Sequence, residues 1–238
     1  MCFNQKYSAT FAILGIISLL VIRNNPPKEN NLLYIPIIFY TLMEILQTFQ
    51  YSYVNKCDNM NKFLTEISYV LILVQPLMWN LIFLFKKRNP SLTSFHIGIL
   101  YCAVVLCIIW ILAHVLRRFK AYSSYNPSKY KNEMNELTSG SNTCTYKENN
   151  QHLYWNYKLF SQPGIDANWF MYLALWFIPG LLVPGEKITI FTLIAGFVGS
   201  FLYIKIKNHN RHIVPSLWCL SSGPTLALNV FLYSILKN

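Results

Sequence analysis

Glu44 stands near the middle of the apolar stretch 32–54, and no other acid of this chain is placed so deep in such a run. Tyr40, Gln47 and Tyr51 share that stretch, spaced four, three and four residues apart, so a helix carries all four on one stripe. A charge at the centre of a bilayer costs about 2.5–3.5 kcal/mol even on the lenient insertion scale. A carboxyl there must face protein or water, where it can hold or release a proton. Two readings follow. Glu44 is a site for an ion, a proton or a polar substrate, or it is a protonated acid hydrogen-bonded to Gln47 or a neighbouring helix as structural glue.

Further polar groups fall inside other apolar stretches. The run 63–85 contains Gln75, Pro76, Trp79 and Asn80. Pro76 has no amide hydrogen, which frees the Ile72 carbonyl one turn earlier. A freed carbonyl at that depth survives beside protein or water, and Gln75 and Asn80 are the candidate partners. Ser222, Thr225, Asn229 and Tyr233 make a second polar stripe in 213–236, where Gly223-Pro224 marks a kink. Ala195 and Gly199 offer a small face for close helix approach. The expected path for a small solute or ion is thus lined by Tyr40, Glu44, Gln47, Gln75, Asn80, Ser222, Thr225 and Asn229, with Glu44 the titrating group. A secondary grouping of Cys2, Trp218 and Cys219 suits a rival, an embedded enzyme acting on a lipid or redox substrate near Glu44. A third reading is a purely structural or partner-binding protein. No catalytic constellation, metal-ligand spacing or cofactor motif is legible. His96, His114, His152, His209 and His212 all fall at or outside the ends of the apolar stretches.

The elements that would position these groups are helices. Of 238 residues, 54% are hydrophobic and 12% charged, against about 25% charged in a soluble domain. A helix needs about 20 residues to cross a bilayer. Seven stretches approach that length: 7–22, 32–54, 63–85, 95–116, 167–183, 188–206 and 213–236. The expected fold is all-α, a polytopic bundle of seven spans, or six if Pro184-Gly185 makes a re-entrant pair of the fifth and sixth. Arg23-Asn24-Asn25-Pro26-Pro27 follows the first run without a small-residue cleavage site, so that span is expected to be retained. Residues 117–166 are the extramembranous loop. Its part 122–150 is rich in Ser, Asn, Lys and Glu with little apolar content of its own. Its part 153–160 concentrates Tyr, Trp and Phe and predicts an interfacial helix, with an irregular loop of aromatic anchors as the alternative.

The net charge of +11 does not mark a nucleic-acid binder. The basic residues sit between apolar runs, as in Lys86-Lys87-Arg88 and Arg117-Arg118, where they meet lipid headgroups rather than form one basic face. The bilayer is the expected partner, and self-association is left open. With seven spans, Lys and Arg number 13 on the side of the N-terminus and 7 on the other. Positive residues favour the cytoplasm, so the N-terminus is expected there. Leaving out Lys129, Lys131 and Lys147, far from any span end, reduces the contrast to 10 against 7. The six cysteines form no CxxC pair. Cys57 and Cys144 lie in loops on one side, so a disulfide between them is compatible with the topology without being required by it. The last span has no lysine in its body for a retinal Schiff base. The acidic-Arg-aromatic and Asn-Pro-x-x-Tyr motifs of rhodopsin-class receptors are missing as well.

An offset of 148 residues aligns Pro36 with Pro184 and Pro76 with Pro224, as a repeat of spans one to three in spans five to seven would. That layout resembles the three-one-three plan of the sugar-transporting SWEET family. The Pro-Gln dipeptide of related PQ-loop proteins is missing, and Gln75-Pro76 is its reverse. A second resemblance rests on Met1-Cys2-Phe3, on Ile35-Pro36-Ile37-Ile38-Phe39 with Glu44-Ile45-Leu46-Gln47, on Gln75-Pro76-Leu77-Met78-Trp79 and on Ser216-Leu217-Trp218-Cys219. Together these resemble a group of seven-span proteins of bacteria and large DNA viruses that open Met-Cys-Phe. The resemblance covers the bundle and not the loop 117–166, and it implies an architecture without a mechanism. It draws attention to Cys2 as a lipid-modified residue, a metal or redox ligand, or a buried thiol.

Overall fold

Polar residues begin the helices where apolar runs leave the loops. Asn4 Oδ1 accepts the Tyr7 amide at 3.1 Å, Asp58 Oδ1 the Asn61 amide at 2.8 Å, and Thr93 Oγ1 the His96 amide at 3.5 Å. Each satisfies an amide that the first turn leaves without a helical partner. The helices so started are α1 (Gln5–Asn24), α3 (Asn59–Phe85) and α4 (Ser94–Ser123); the described residues also form α2 (Tyr34–Gln50), α5 (Trp169–Leu182) and α6 (Lys187–Lys207). Asn208 closes α6 with a φ of 54°, which lets the His209 amide return to the Ile204 carbonyl at 2.9 Å. This computed structural model describes residues 4–24, 32, 34–85, 92–123, 139–140, 142–148, 152–158, 169–184, 187–209, 213–215 and 217–218.

Among the described residues, four segments are long and apolar enough to cross a membrane: α1, α3, Ser94–Leu116 of α4 and Thr189–Lys207 of α6. The apolar α5 has 14 residues and α2 has 17. The seventh expected span, 213–236, lies outside the described residues beyond Trp218. Helix α3 is central: 61% of its apolar window is enclosed, against 28% for α1 and α4 and 22% for α6. It packs on α2, α4 and α5, with Met43, Trp79, Phe83, Leu100 and Trp176 fully enclosed between them. The outer helices turn apolar side chains away from that core, Ile13, Ile17 and Leu20 on α1 and Tyr101, Val105 and Ile109 on α4. Such a surface suits hydrocarbon rather than water.

Among the described residues, two glycines sit where helices meet with no room for a side chain. A β-carbon at Gly15 would run into the Thr41 side chain, so α1 lies directly against α2. One at Gly180 would come within 2.6 Å of Ile190 and 2.8 Å of Phe83, where α5 meets α6 and α3. Gly199, expected to serve this purpose with Ala195, has nothing within 4 Å of such a β-carbon. The close contacts are therefore made by α1 and α5.

Of the segment 153–160, expected to be an interfacial helix or an irregular loop, the described part, as far as Lys158, is a strand. Three short strands, β1 (Ser139–Gly140), β2 (Cys144–Glu148) and β3 (His152–Lys158), form one sheet in the order β1-β3-β2. β2 runs antiparallel to β3, with Thr145 opposite Trp155, and β1 runs parallel to it. Leu153, Trp155 and Tyr157 alternate into the interior, a period of two that a helix cannot hold on one face. Cys57, in the turn after α2, is disulfide-bonded to Cys144 at the start of β2, with the two Cα atoms 5.3 Å apart. That pairing was left open by the sequence.

Candidate functional site

Glu44 is buried, with 3% of its surface exposed, on the helix that packs against α1. The Ser8 side chain hydrogen-bonds its carboxyl, and Oε2 has no hydrogen-bond partner among the described residues. Gln47 lies one turn further along α2 and is fully enclosed. Tyr40 lies one turn earlier and accepts the Trp79 indole N–H at 3.3 Å, which ties the stripe to α3. Helix α2 ends at Gln50, six residues past Glu44. At 1.5 Å per residue the carboxyl lies about 9 Å below that end, nearer to it than the middle position expected from the stretch 32–54.

Gln75 and Asn80 face a different neighbour. Gln75 Oε1 accepts a short hydrogen bond from the Tyr172 hydroxyl of α5. Asn80 Nδ2 donates to the Pro76 carbonyl at 2.8 Å, to the Leu175 carbonyl at 2.9 Å and to Cys107 Sγ at 3.7 Å, joining α3, α5 and α4. Asn80 thus serves a carbonyl on its own helix, at Pro76, and not the one expected at Ile72. Asn80 Oδ1, Gln75 Nε2 and the Trp110 and Trp176 indole nitrogens are buried without partners among the described residues. Tyr172 lies between those two tryptophans, at ring distances of 5.8 and 5.5 Å. The expected lining therefore divides into one set between α1 and α2 and another among α3, α4 and α5. Trp218 packs on Trp176 at 4.6 Å and donates to the Leu193 carbonyl at 3.0 Å. Ser222, Thr225, Asn229, Cys2 and Cys219 lie outside the described residues.

A third polar set, beneath the sheet, was not anticipated. Asn61 uses its whole amide. Its Nδ2 donates to the Tyr53 and Thr145 carbonyls at 2.7 and 2.9 Å, and its Oδ1 accepts the Thr145 amide at 2.8 Å and the Thr65 hydroxyl at 3.1 Å. Thr65 meets the Thr145 hydroxyl at 2.7 Å, and Ser68 meets the Tyr157 hydroxyl at 2.9 Å. The Trp155 indole donates to Gln50 Oε1 at 3.0 Å, while Gln50 Nε2 donates to the Leu64 carbonyl at 3.1 Å. The sequence signal was present: Asn61, Thr65, Ser68 and Gln75 fall on one stripe of α3, a polar face continuous from its first turn.

Membrane-length helices around a polar central helix, closed at one end by a disulfide-linked sheet, define the class. The chain belongs to the Family of unknown function (DUF5765), which matches residues 6–236. It is similar to an uncharacterised protein of Acanthamoeba polyphaga mimivirus, 23% identical over 235 residues that cover 93% of this chain and 91% of that one. That relative agrees with the expected kinship to proteins of large DNA viruses. No solved structure matches the chain.

Proposed function

We propose that this protein is a seven-span membrane protein that passes a small solute or ion, and that Glu44 is the polar group the passing species meets. The observation that supports the reading is the state of its carboxyl. It is enclosed by protein between α1 and α2, and only one oxygen has a partner among the described residues. A carboxyl kept solely as glue would be expected to use both oxygens, because an unpaired buried acceptor costs about 1–3 kcal/mol. Gln47 and Tyr40 continue a polar line on either side of it. In this reading α2 and α5 complete their crossings through the turns that flank them, and 213–236 supplies the seventh span with Ser222, Thr225 and Asn229.

Proteoliposome flux of protons, potassium and glucose tests the proposal. The expected result is a protein-dependent flux for one of them that falls at least about tenfold in Glu44→Gln, the size typical of removing one positioned proton or ion ligand. Glu44→Gln keeps the shape, so equal thermal stability in detergent separates lost function from lost fold. Unchanged flux in the variant removes Glu44 from the path, and no flux of any probe removes the transport class.

A further inference from the structure

The sheet stands over the end of α2 nearest Glu44. Trp155 reaches Gln50, which continues the Glu44–Gln47 stripe by three residues, so an enclosed indole covers the line about 9 Å above the carboxyl. Two features hold the sheet there besides its hydrogen bonds. One is the Cys57–Cys144 disulfide, which joins residues 87 apart in sequence. The other is the turn before α3. Asn55 and Cys57 both take left-handed backbone, with φ of 64° and 46°. Such a conformation costs free energy at a cysteine and persists where neighbours fix it. For Asn55 those neighbours lie on β2: its amide donates to the Thr145 carbonyl at 3.2 Å, and its Oδ1 accepts the Lys147 amide at 3.1 Å. Removing the sheet would take both contacts from Asn55, leaving the turn held through the Tyr53 backbone, to Asn61 and Gln50.

The disulfide also bears on orientation. Such bonds form and persist on the oxidising side of a membrane. The Lys/Arg contrast that put this side in the cytoplasm draws on Lys147 and Lys158, which lie in β2 and β3 rather than in loops flanking a span. Without them, and without Lys129 and Lys131, which are equally far from any span end, the contrast falls from 13 against 7 to 9 against 7, and the covalent bond outweighs the charge count.

We propose that the sheet is a lid latched by Cys57–Cys144 over the Glu44 end of the bundle, on the face turned to an oxidising compartment, and that thiol reduction releases it. Cys57 is exposed and Cys144 fully buried, so a dithiol reaches the Cys57 sulfur first. Its thiolate bonds to that sulfur, and Cys144 departs with the electron pair and takes a proton. The reagent's second thiol then displaces Cys57, which leaves as a thiol, while the reagent departs as its own disulfide; two electrons and two protons have entered the protein. The freed turn relaxes from its left-handed backbone, and Trp155 can leave Gln50. The lid's effect on flux rests on the transport reading above; its latch and its side do not.

The experiment has two arms on the full chain. In sealed microsomes, whose lumen is the oxidising side, a membrane-impermeant PEG-maleimide is added after dithiothreitol treatment and washing. The four other cysteines set a baseline, read from Cys57→Ser/Cys144→Ser; the expected two further additions in the unaltered protein require both dithiothreitol and detergent. Those two further additions without dithiothreitol overturn the latch, and their appearance without detergent overturns the orientation. In proteoliposomes, dithiothreitol should raise the Glu44-dependent flux several-fold in the unaltered protein, and the double serine variant should show the raised flux without it. Flux present but indifferent to dithiothreitol overturns the lid and leaves the transport reading standing. Absence of any flux sinks the transport reading and the gate with it, while the labelling arm still decides latch and side.

Discussion

Replacing Asn80 by leucine leaves the Leu175 carbonyl without a donor, because Pro179 four residues on has no amide hydrogen, while the Pro76 carbonyl keeps its helical amide. Each buried acceptor left unpaired costs about 1–3 kcal/mol in a protein interior, but polar contacts inside membranes average nearer 0.6 kcal/mol because loosened helices find other partners. The expected loss for Asn80→Leu is therefore about 1–2 kcal/mol, read from unfolding in mixed detergent micelles. Asn61→Leu should cost more, about 3 kcal/mol, since four hydrogen bonds end on that amide and its partners lie on three separate segments. Hydrogen exchange should show the loss as weakened protection of β2 while α5 stays protected. At this scale Glu44 was legible, because one acid in an apolar run is conspicuous. Its Ser8 partner was not, since a serine in the first turns of an apolar helix carries no signal until the facing helix is known.

The α1–α2 contact depends on Gly15. Gly15→Val should force α1 off Thr41 at a cost of about 1–3 kcal/mol, the usual range for overpacking. Trimming the obstacle with Thr41→Ala in the same chain should recover part of it, which a double-mutant cycle measures. A cycle with no coupling would place the two residues out of contact. Among elements, the helices were readable because apolar runs of membrane length have few other uses. Their ends were less so: α2 stops four residues short of the stretch that announced it, at Gln50. The strand β3 was misread because Tyr, Trp and Phe at the edge of a span suggest an interfacial helix. Its period of two and its β-favouring aromatics pointed the other way, yet its pairing partner and its covalent anchor lie far off in sequence.

For the whole molecule, the disulfide closes a loop with a sequence separation of 87. Its removal in Cys57→Ser/Cys144→Ser should lower stability by about 2–5 kcal/mol, visible as a lower thermal midpoint that reductant no longer shifts. The internal repeat suggested by proline spacing fails at its first element, although α2 moved by the same offset overlaps α6. Moved by 148 residues, α1 falls on 153–172, which holds most of β3 and only the first residues of α5. Two matched prolines cannot distinguish a repeat from coincidence, whereas element boundaries can. The far-off partners of Asn61 also have a consequence for biosynthesis. Asn61 leaves the ribosome 84 residues before Thr145. At about 5–20 residues per second, a helix whose polar face has no cover waits roughly 4–17 seconds at the translocon. Nascent chains truncated ahead of residue 144 should therefore be held by insertion chaperones and degraded, while chains carried past 158 should be released.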